Sequence, residues 1–283
     1  MRIYISADGE GVSAVVSGDE MFPGAAEYAF FREMMTADVN AAIAGAFAGG
    51  ATSVVVNDTH WSKRNLLPDR LDPRADLMRG SGKPLSMMDG VGAGYDGAFF
   101  VGYHARVGGS VGVANETVMG RQIYDVRING RSVGELEINA AIAAHFGVPV
   151  ILVTGDDKLA VETAAALPDA ETAIVKYAIE RWSARCLSPQ RAQALIRQRA
   201  ETAVVRLRTQ GHFAAFRLEM QDSLRCEVEF ISTAQAGAAH LMPGTKRIGA
   251  RTVMYEAGDA VTAARAILAM MFLGCRATDE VYG

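Results

Sequence analysis

The chain is poor in cysteine, aromatics and histidine, and it has no long uninterrupted apolar run. Its three cysteines, Cys186, Cys226 and Cys275, are odd in number, widely spaced and never in a C-x-x-C pair. That excludes a disulfide framework and a thiolate zinc site, and leaves them as packing residues. No stretch approaches the roughly 18 apolar residues a membrane-spanning helix needs. The apolar segment AARAILAMMFLG near the C-terminus is too short and carries Arg265. The opening MRIYISADGEG lacks the apolar core and cleavage site of a signal peptide, so the expected location is the cytoplasm. Basic residues number 28 against 32 acidic ones, interspersed, for a net charge of −4. Without a basic stripe or polybasic tail, neither nucleic acid nor a membrane surface is an expected partner. Repeats of 20 to 50 residues and low-complexity tracts are absent too.

What is present is a chain of 283 residues, half of them hydrophobic, enough for a substantial core and for one or two domains. Short β-rich runs at residues 2–7, 52–57 and 98–103 alternate with helical patterns, the first of them over about residues 27–48 and closed by Gly49 and Gly50. Such alternation predicts an α/β fold with a mostly parallel sheet flanked by helices. Asn129-Gly130 between QIYDVRI and RSVGEL is the clearest hairpin turn, because both residues tolerate positive φ. Helical GELEINAAIAAHFG and the buried-strand pattern VPVILVTGDD follow. Beyond about residue 185, the helix LSPQRAQALIRQRAETAVVRL, two strands and the apolar terminal helix suggest a smaller α+β C-terminal lobe. The expected division is a metal-binding catalytic domain over 1–184 and this lobe over 185–283, which can be continuous with the first.

The chemistry lies in where polar residues fall. Asp8 and Glu10 follow the first strand, Asp58 and His60 the second, and His104 the strand AFFVGY. In an open parallel sheet the carboxyl ends of the strands border the ligand crevice, so residues distant in sequence can converge there. Imidazole and carboxylate without thiolate suit zinc first, with manganese, cobalt or nickel as alternatives. Asp8, one small glycine from Glu10, is the natural bridge between two ions about 3.5 to 4 Å apart. Singly, each residue has a plainer explanation, as a cap or a structural or surface histidine; it is their shared placement at strand ends that argues for a metal. Asp58 either orients His60 or caps its own loop. His145, His212 and His240 lack this placement and read as structural or surface groups. GVGAGYDG over 90–97 precedes a strand rather than joining a strand to a helix, which argues against a phosphate loop.

The segments SADGEGVS, VVVNDTHW, FVGYHAR, NGRSVGELEINA, VTGDD, KYAIERWSARCLSP and LMPGT together resemble the DppA-type D-aminopeptidases, in order and past residue 245. The resemblance implies an enzyme that removes the N-terminal residue, typically of D configuration, from short peptides or amino-acid amides, using water activated by two zinc ions per subunit. It implies Asp8, Glu10, His60, His104 and Glu135 as metal ligands, with Asp8 bridging. Spacing alone leaves Glu135 and Glu137 equivalent; the family's match on the GEL triplet selects Glu135 and leaves Glu137 as a solvated helix acid. A ring-shaped homo-oligomer, a decamer enclosing a chamber for short substrates, is implied as well. One departure stands out: where the family's characterised member has a catalytic histidine after FVGYHAR, this chain has Asn115. Asparagine cannot exchange a proton near neutral pH, but it can donate to a developing oxyanion. Glu116 beside it becomes the candidate general acid or base, provided burial raises its pKa. The same ligands would also serve an L-aminopeptidase, an amidase or a phosphoesterase, and the loss of the histidine leaves a non-catalytic metal- or peptide-binding protein as a further alternative.

Overall fold

The computed structural model describes residues 1–211, 213–218 and 223–277; His212 lies outside them. The chain runs β1 (Arg2–Ala7), α1 (Gly18–Met21), α2 (Tyr28–Gly49), β2 (Ser53–Asp58), β3 (Ala75–Met78), β4 (Gly97–Val101), β5 (Ile123–Ile128), β6 (Arg131–Ser132), α3 (Glu135–His145), β7 (Val150–Asp156), α4 (Asp157–Ala166), β8 (Glu171–Glu180), β9 (Ser183–Cys186), α5 (Pro189–Gln210), β10 (Leu224–Phe230), α6 (Thr233–Ala239), β11 (Lys246–Arg247), β12 (Thr252–Ala257) and α7 (Ala260–Gly274).

Seven strands form one sheet in the order β3-β2-β1-β4-β7-β8-β9, parallel except for the β8–β9 pair. Both faces of this sheet are covered. In β1, Ile3, Ile5 and Ala7 point into a core shared with α2 and α5, whereas Tyr4 points into a second core with α3 and α7. The two-residue period of a strand explains the division, and burial on both sides explains why Ile3, Tyr4, Ile5 and Ala7 are apolar on either face. Helix α2 ends where Gly50 turns left-handed at φ 105° and its N–H bonds the Phe47 carbonyl 3.1 Å away.

The second sheet, β11-β12-β10-β5-β6, is antiparallel throughout. Its β5–β6 hairpin turns at Asn129 and Gly130, with φ of 53° and 78°. The two sheets interleave along the chain. Strands β5 and β6, which lie between β4 and β7 in sequence, join β10 to β12, while α5 packs along α2 on the first sheet. The stretch after residue 184 therefore contributes to both layers, and the second sheet begins at Ile123.

Strand order reverses between β1 and β4: the chain moves from β1 outward to β2 and β3, then returns to the other side of β1. The carboxyl ends of β1 and β4 flank that switch point, where parallel sheets open a crevice. The excursion between β4 and β7 sets the start of α3 over the same crevice. Among the described residues no helix is long and apolar enough to cross a membrane.

Candidate metal centre

Five side chains reach this crevice from four places in the chain. Asp8 and Glu10 leave the end of β1, His60 the end of β2, His104 the end of β4, and Glu135 opens α3. All five are buried, each with less than 9 % of its surface exposed. The turn that brings Glu10 under the sheet requires glycine at position 11, since a Cβ there would stand 1.9 Å from the Tyr103 carbonyl oxygen. The Gly11 N–H bonds the Gly102 carbonyl at 2.8 Å, so the loop after β1 lies directly on the loop that carries His104.

Asp8 sits at the centre. Its Oδ1 lies 3.4 Å from Nδ1 of His60, and its Oδ2 lies 3.4 Å from Nε2 of His104. Glu10 Oε2 is 3.1 Å from the same His60 nitrogen, and Glu135 Oε2 is 2.9 Å from the same His104 nitrogen. Two triads result, Asp8–Glu10–His60 and Asp8–His104–Glu135, and Asp8 belongs to both. Asp8 Oδ2 is buried without a hydrogen-bond partner. A buried carboxylate oxygen left unpaired costs free energy unless a cation meets it. Nδ1 of His104 faces the Ala105 carbonyl at 3.1 Å, which favours the tautomer whose Nε2 lone pair points at the carboxylates. An oxygen and nitrogen donor set without thiolate suits zinc.

The electrostatics agree. Burial alone would lower both imidazole pKa values, but the charge of Glu10 on His60 and of Glu135 on His104, together with the Asp8 carboxylate facing both, raises both well above the ordinary range. For Asp8, burial pushes upward and is outweighed by the imidazoles of His104 and His60 beside it, which hold its carboxyl far below the usual range. The cluster is built to hold positive charge. Glu116 lies against it in a further group with Glu10 and His104. Burial first, and then the charges of Glu10 and Glu135, push its pKa up to about 8, while the Gly120 N–H holds its Oε2.

Two expectations change, those for Asn115 and Glu137, and of the two readings of Asp58 the loop cap holds. Asn115 does not line the crevice: its amide donates to the Ser110 carbonyl at 3.2 Å and the Arg106 carbonyl at 3.5 Å, so it braces its own loop and is not aimed at an oxyanion. Glu116 is the residue that faces the cluster. Glu137 is buried rather than solvated, and accepts the Gly134 N–H at 2.9 Å as a cap on α3. Asp58 does not touch His60: its carboxylate accepts the N–H groups of Asn65 and Leu66 at 2.6 and 2.8 Å, and Asn65 Nδ2 in turn donates to the His60 carbonyl at 2.7 Å. It closes the loop that carries the histidine. His145 and His240 are exposed and do not line the cavity.

Two lysines escaped the sequence reading. Lys63 lines the crevice, bonds Ser86 Oγ and feels the charges of Asp8 and Glu135; burial lowers its pKa. Lys176 is fully buried in β8, and its Nζ donates to the carbonyls of Glu10, Val12 and Val15 at 2.6, 3.0 and 2.5 Å. A lysine inside the strand pattern ETAIVKYAIE was the available signal, since buried cations need partners.

Residues 1–269 match the M55 peptidase family model, described as D-aminopeptidase. The chain belongs to the D-aminopeptidase family. It is 38 % identical over 278 residues to a D-aminopeptidase of Bacillus subtilis (strain 168), covering 98 % of each chain. Its fold matches the solved structure of the Zn-dependent D-aminopeptidase DppA from Bacillus subtilis, a self-compartmentalizing protease, with a TM-score of 0.92 and 37 % identity over 99 % of this chain and all of the other.

Proposed function

We propose that this chain is a zinc-dependent D-aminopeptidase that removes the N-terminal residue from short peptides or amino-acid amides. The observation that carries the proposal is the shared carboxylate, one oxygen of Asp8 facing each histidine inside two buried triads. Family membership supports the D preference, and the zinc dependence of the related DppA supports the metal. No observation favours phosphate esters or a purely binding role.

Two zinc ions per subunit fit the donor set, with Glu10 and His60 beside one, His104 and Glu135 beside the other, and Asp8 between them. Bound zinc would supply a Lewis acid for the scissile carbonyl and lower the pKa of water toward neutrality. The chain's own residues do the rest. The cluster forms the floor of a cavity of about 630 Å³ whose walls include Met87, Ile138, Ile142, Ile267 and Met271, a volume suited to a small ligand. Glu116, which faces the cluster, is placed to carry the proton that the departing amine requires. Gly120 fixes the carboxyl that carries it. Asn115 holds the Glu116 loop in place from behind.

A homo-oligomer is part of this reading, in ring-shaped decameric form. The DppA neighbour is described as self-compartmentalizing. Here Phe272 and Leu273 at the end of α7 remain exposed, although the helix's inner face is buried.

Turnover of paired D- and L-aminoacyl dipeptides with zinc, manganese or cobalt, before and after chelation, tests the function. Faster release of D residues, abolished by chelator and restored by zinc, is expected. Chelator-insensitive turnover, or preference for L residues, contradicts the proposal.

A further inference from the structure

The mouth of the cavity carries two arginines that the mechanism above does not use. Arg121 and Arg181 both line it, both are exposed, and neither forms an ion pair among the described residues. Each guanidinium lies over an aromatic ring instead, Arg121 over Phe22 at 5.3 Å and Arg181 over Trp182 at 4.9 Å. The two rings converge on Gly18, from whose Cβ position both would stand 3.6 Å away. Trp61 packs edge-on against Phe22 with centroids 4.8 Å apart, so the rim is one aromatic patch bearing two cations.

The patch is close to the reacting centre. A Cβ at Gly120 would stand 2.6 Å from Glu116 Oε2 and 3.4 Å from Arg181 Nη2, so the guanidinium and the carboxyl that faces the metal cluster lie against the same glycine. Lys63, the other cation of the cavity, lies instead in the field of Asp8 and Glu135 and is bonded to Ser86. The arginine charges are free to meet a ligand. Below them the floor carries the carboxylates that would hold the metal, and the free positive charges of the cavity lie at the rim. A short peptide aligned for loss of its first residue at that floor directs its carboxylate end outward, toward the rim. Each further residue extends the chain by at most about 3.6 Å, so the carboxylate of a dipeptide stays within a few ångströms of the cleaved bond.

We propose that Arg181 and Arg121 form a subsite for the C-terminal carboxylate of the substrate, making this enzyme selective for dipeptides and tripeptides with a free carboxyl end. Guanidinium groups suit this task because their donors match a carboxylate in a bidentate geometry. Stacking on Phe22 and Trp182 holds them in place without neutralising them. The inference rests on the aminopeptidase reading and deepens it by naming the substrate's distal recognition group.

The test compares a D-alanyl dipeptide with the same dipeptide carboxamide, which share the scissile bond and differ only in the terminal charge. The zinc-loaded wild type is expected to favour the free acid in kcat/KM. Arg181→Met is expected to lower that preference roughly 10-fold, mainly through KM, and the double variant with Arg121→Met to lower it further. Arg181→Lys, which keeps the charge, recovers part of it. A ratio unchanged in the double variant overturns the subsite while leaving the peptidase reading intact. Failure of the wild type to cleave either compound overturns both.

Discussion

Replacing Lys176 by methionine probes how the site is supported from beneath. Methionine has a similar length and no charge, so the variant removes the donors that hold the carbonyls of Glu10, Val12 and Val15. Three buried acceptors without partners cost about 1 to 3 kcal/mol each. Against this stands the relief of no longer burying an ammonium. Burial depresses the Lys176 pKa from 10.5 to about 8, and at about 1.4 kcal/mol per pKa unit that relief is on the order of 3 kcal/mol. Carbonyl loss wins, and the net destabilisation is on the order of 3 kcal/mol. For a chain of this size that is about 6 °C in Tm, read by a thermal melt in chelator. The sign with pH follows from the depressed pKa. Between about pH 8 and 10.5 the unfolded chain holds the extra proton, so the contribution of Lys176 to stability grows with pH and the variant's deficit widens over that window. Zinc affinity, measured by titration calorimetry, should fall about 10- to 100-fold as the Glu10 loop loosens. A variant as stable as the wild type with unchanged zinc affinity would refute the reasoning.

Gly11→Ala should be at least as damaging as a typical overpacked core substitution, about 1 to 3 kcal/mol, and should weaken zinc binding, because the added carbon collides with the Tyr103 carbonyl on the loop that leads to His104; urea unfolding and zinc titration check both. Glu116→Gln should lower kcat about 100-fold or more on dipeptides with little change in zinc content, read by steady-state kinetics and metal analysis. In metal-free protein the same substitution should flatten stability against pH. With its carboxyl pKa raised from 4.5 to about 8, Glu116 keeps a proton that the unfolded chain has lost, so stability falls as pH rises across that window. Asn115→Ala should reduce kcat far less than Glu116→Gln, since the amide reaches only loop carbonyls. Equal losses in the two variants would contradict that assignment.

Much of the parallel sheet was legible because its signals are local. The nearly continuous apolar runs of β1, β2 and β4 mark strands buried on both faces, and ligand-type residues just past their ends mark the crevice. The hairpin at Asn129-Gly130 was legible for the same reason, as its turn chemistry is contained in two residues. Its partner was not. That β5 pairs with β10, some hundred residues later, is a non-local fact with no trace in either strand's pattern. Helix α5 likewise shows an apolar face without showing that α2 is what covers it. At the site, Glu135 and Glu137 occupy the same turn of α3, and both are buried. One faces His104 and the other caps Gly134, a difference of direction that composition cannot express. Asn115 and Glu116 pose the same problem in a loop, where adjacent side chains point opposite ways. Lys176 was open to detection as a cation in a buried strand, but its three carbonyl partners come from a turn about 160 residues earlier.

The most direct test is zinc stoichiometry by metal analysis and equilibrium dialysis, on the wild type and on Asp8→Ala, Glu10→Ala and Glu135→Ala. Two zinc ions per chain are expected in the wild type, about one in each glutamate variant, and close to none once the shared Asp8 is removed. A single ion in the wild type, or two retained without Asp8, contradicts the shared-carboxylate site.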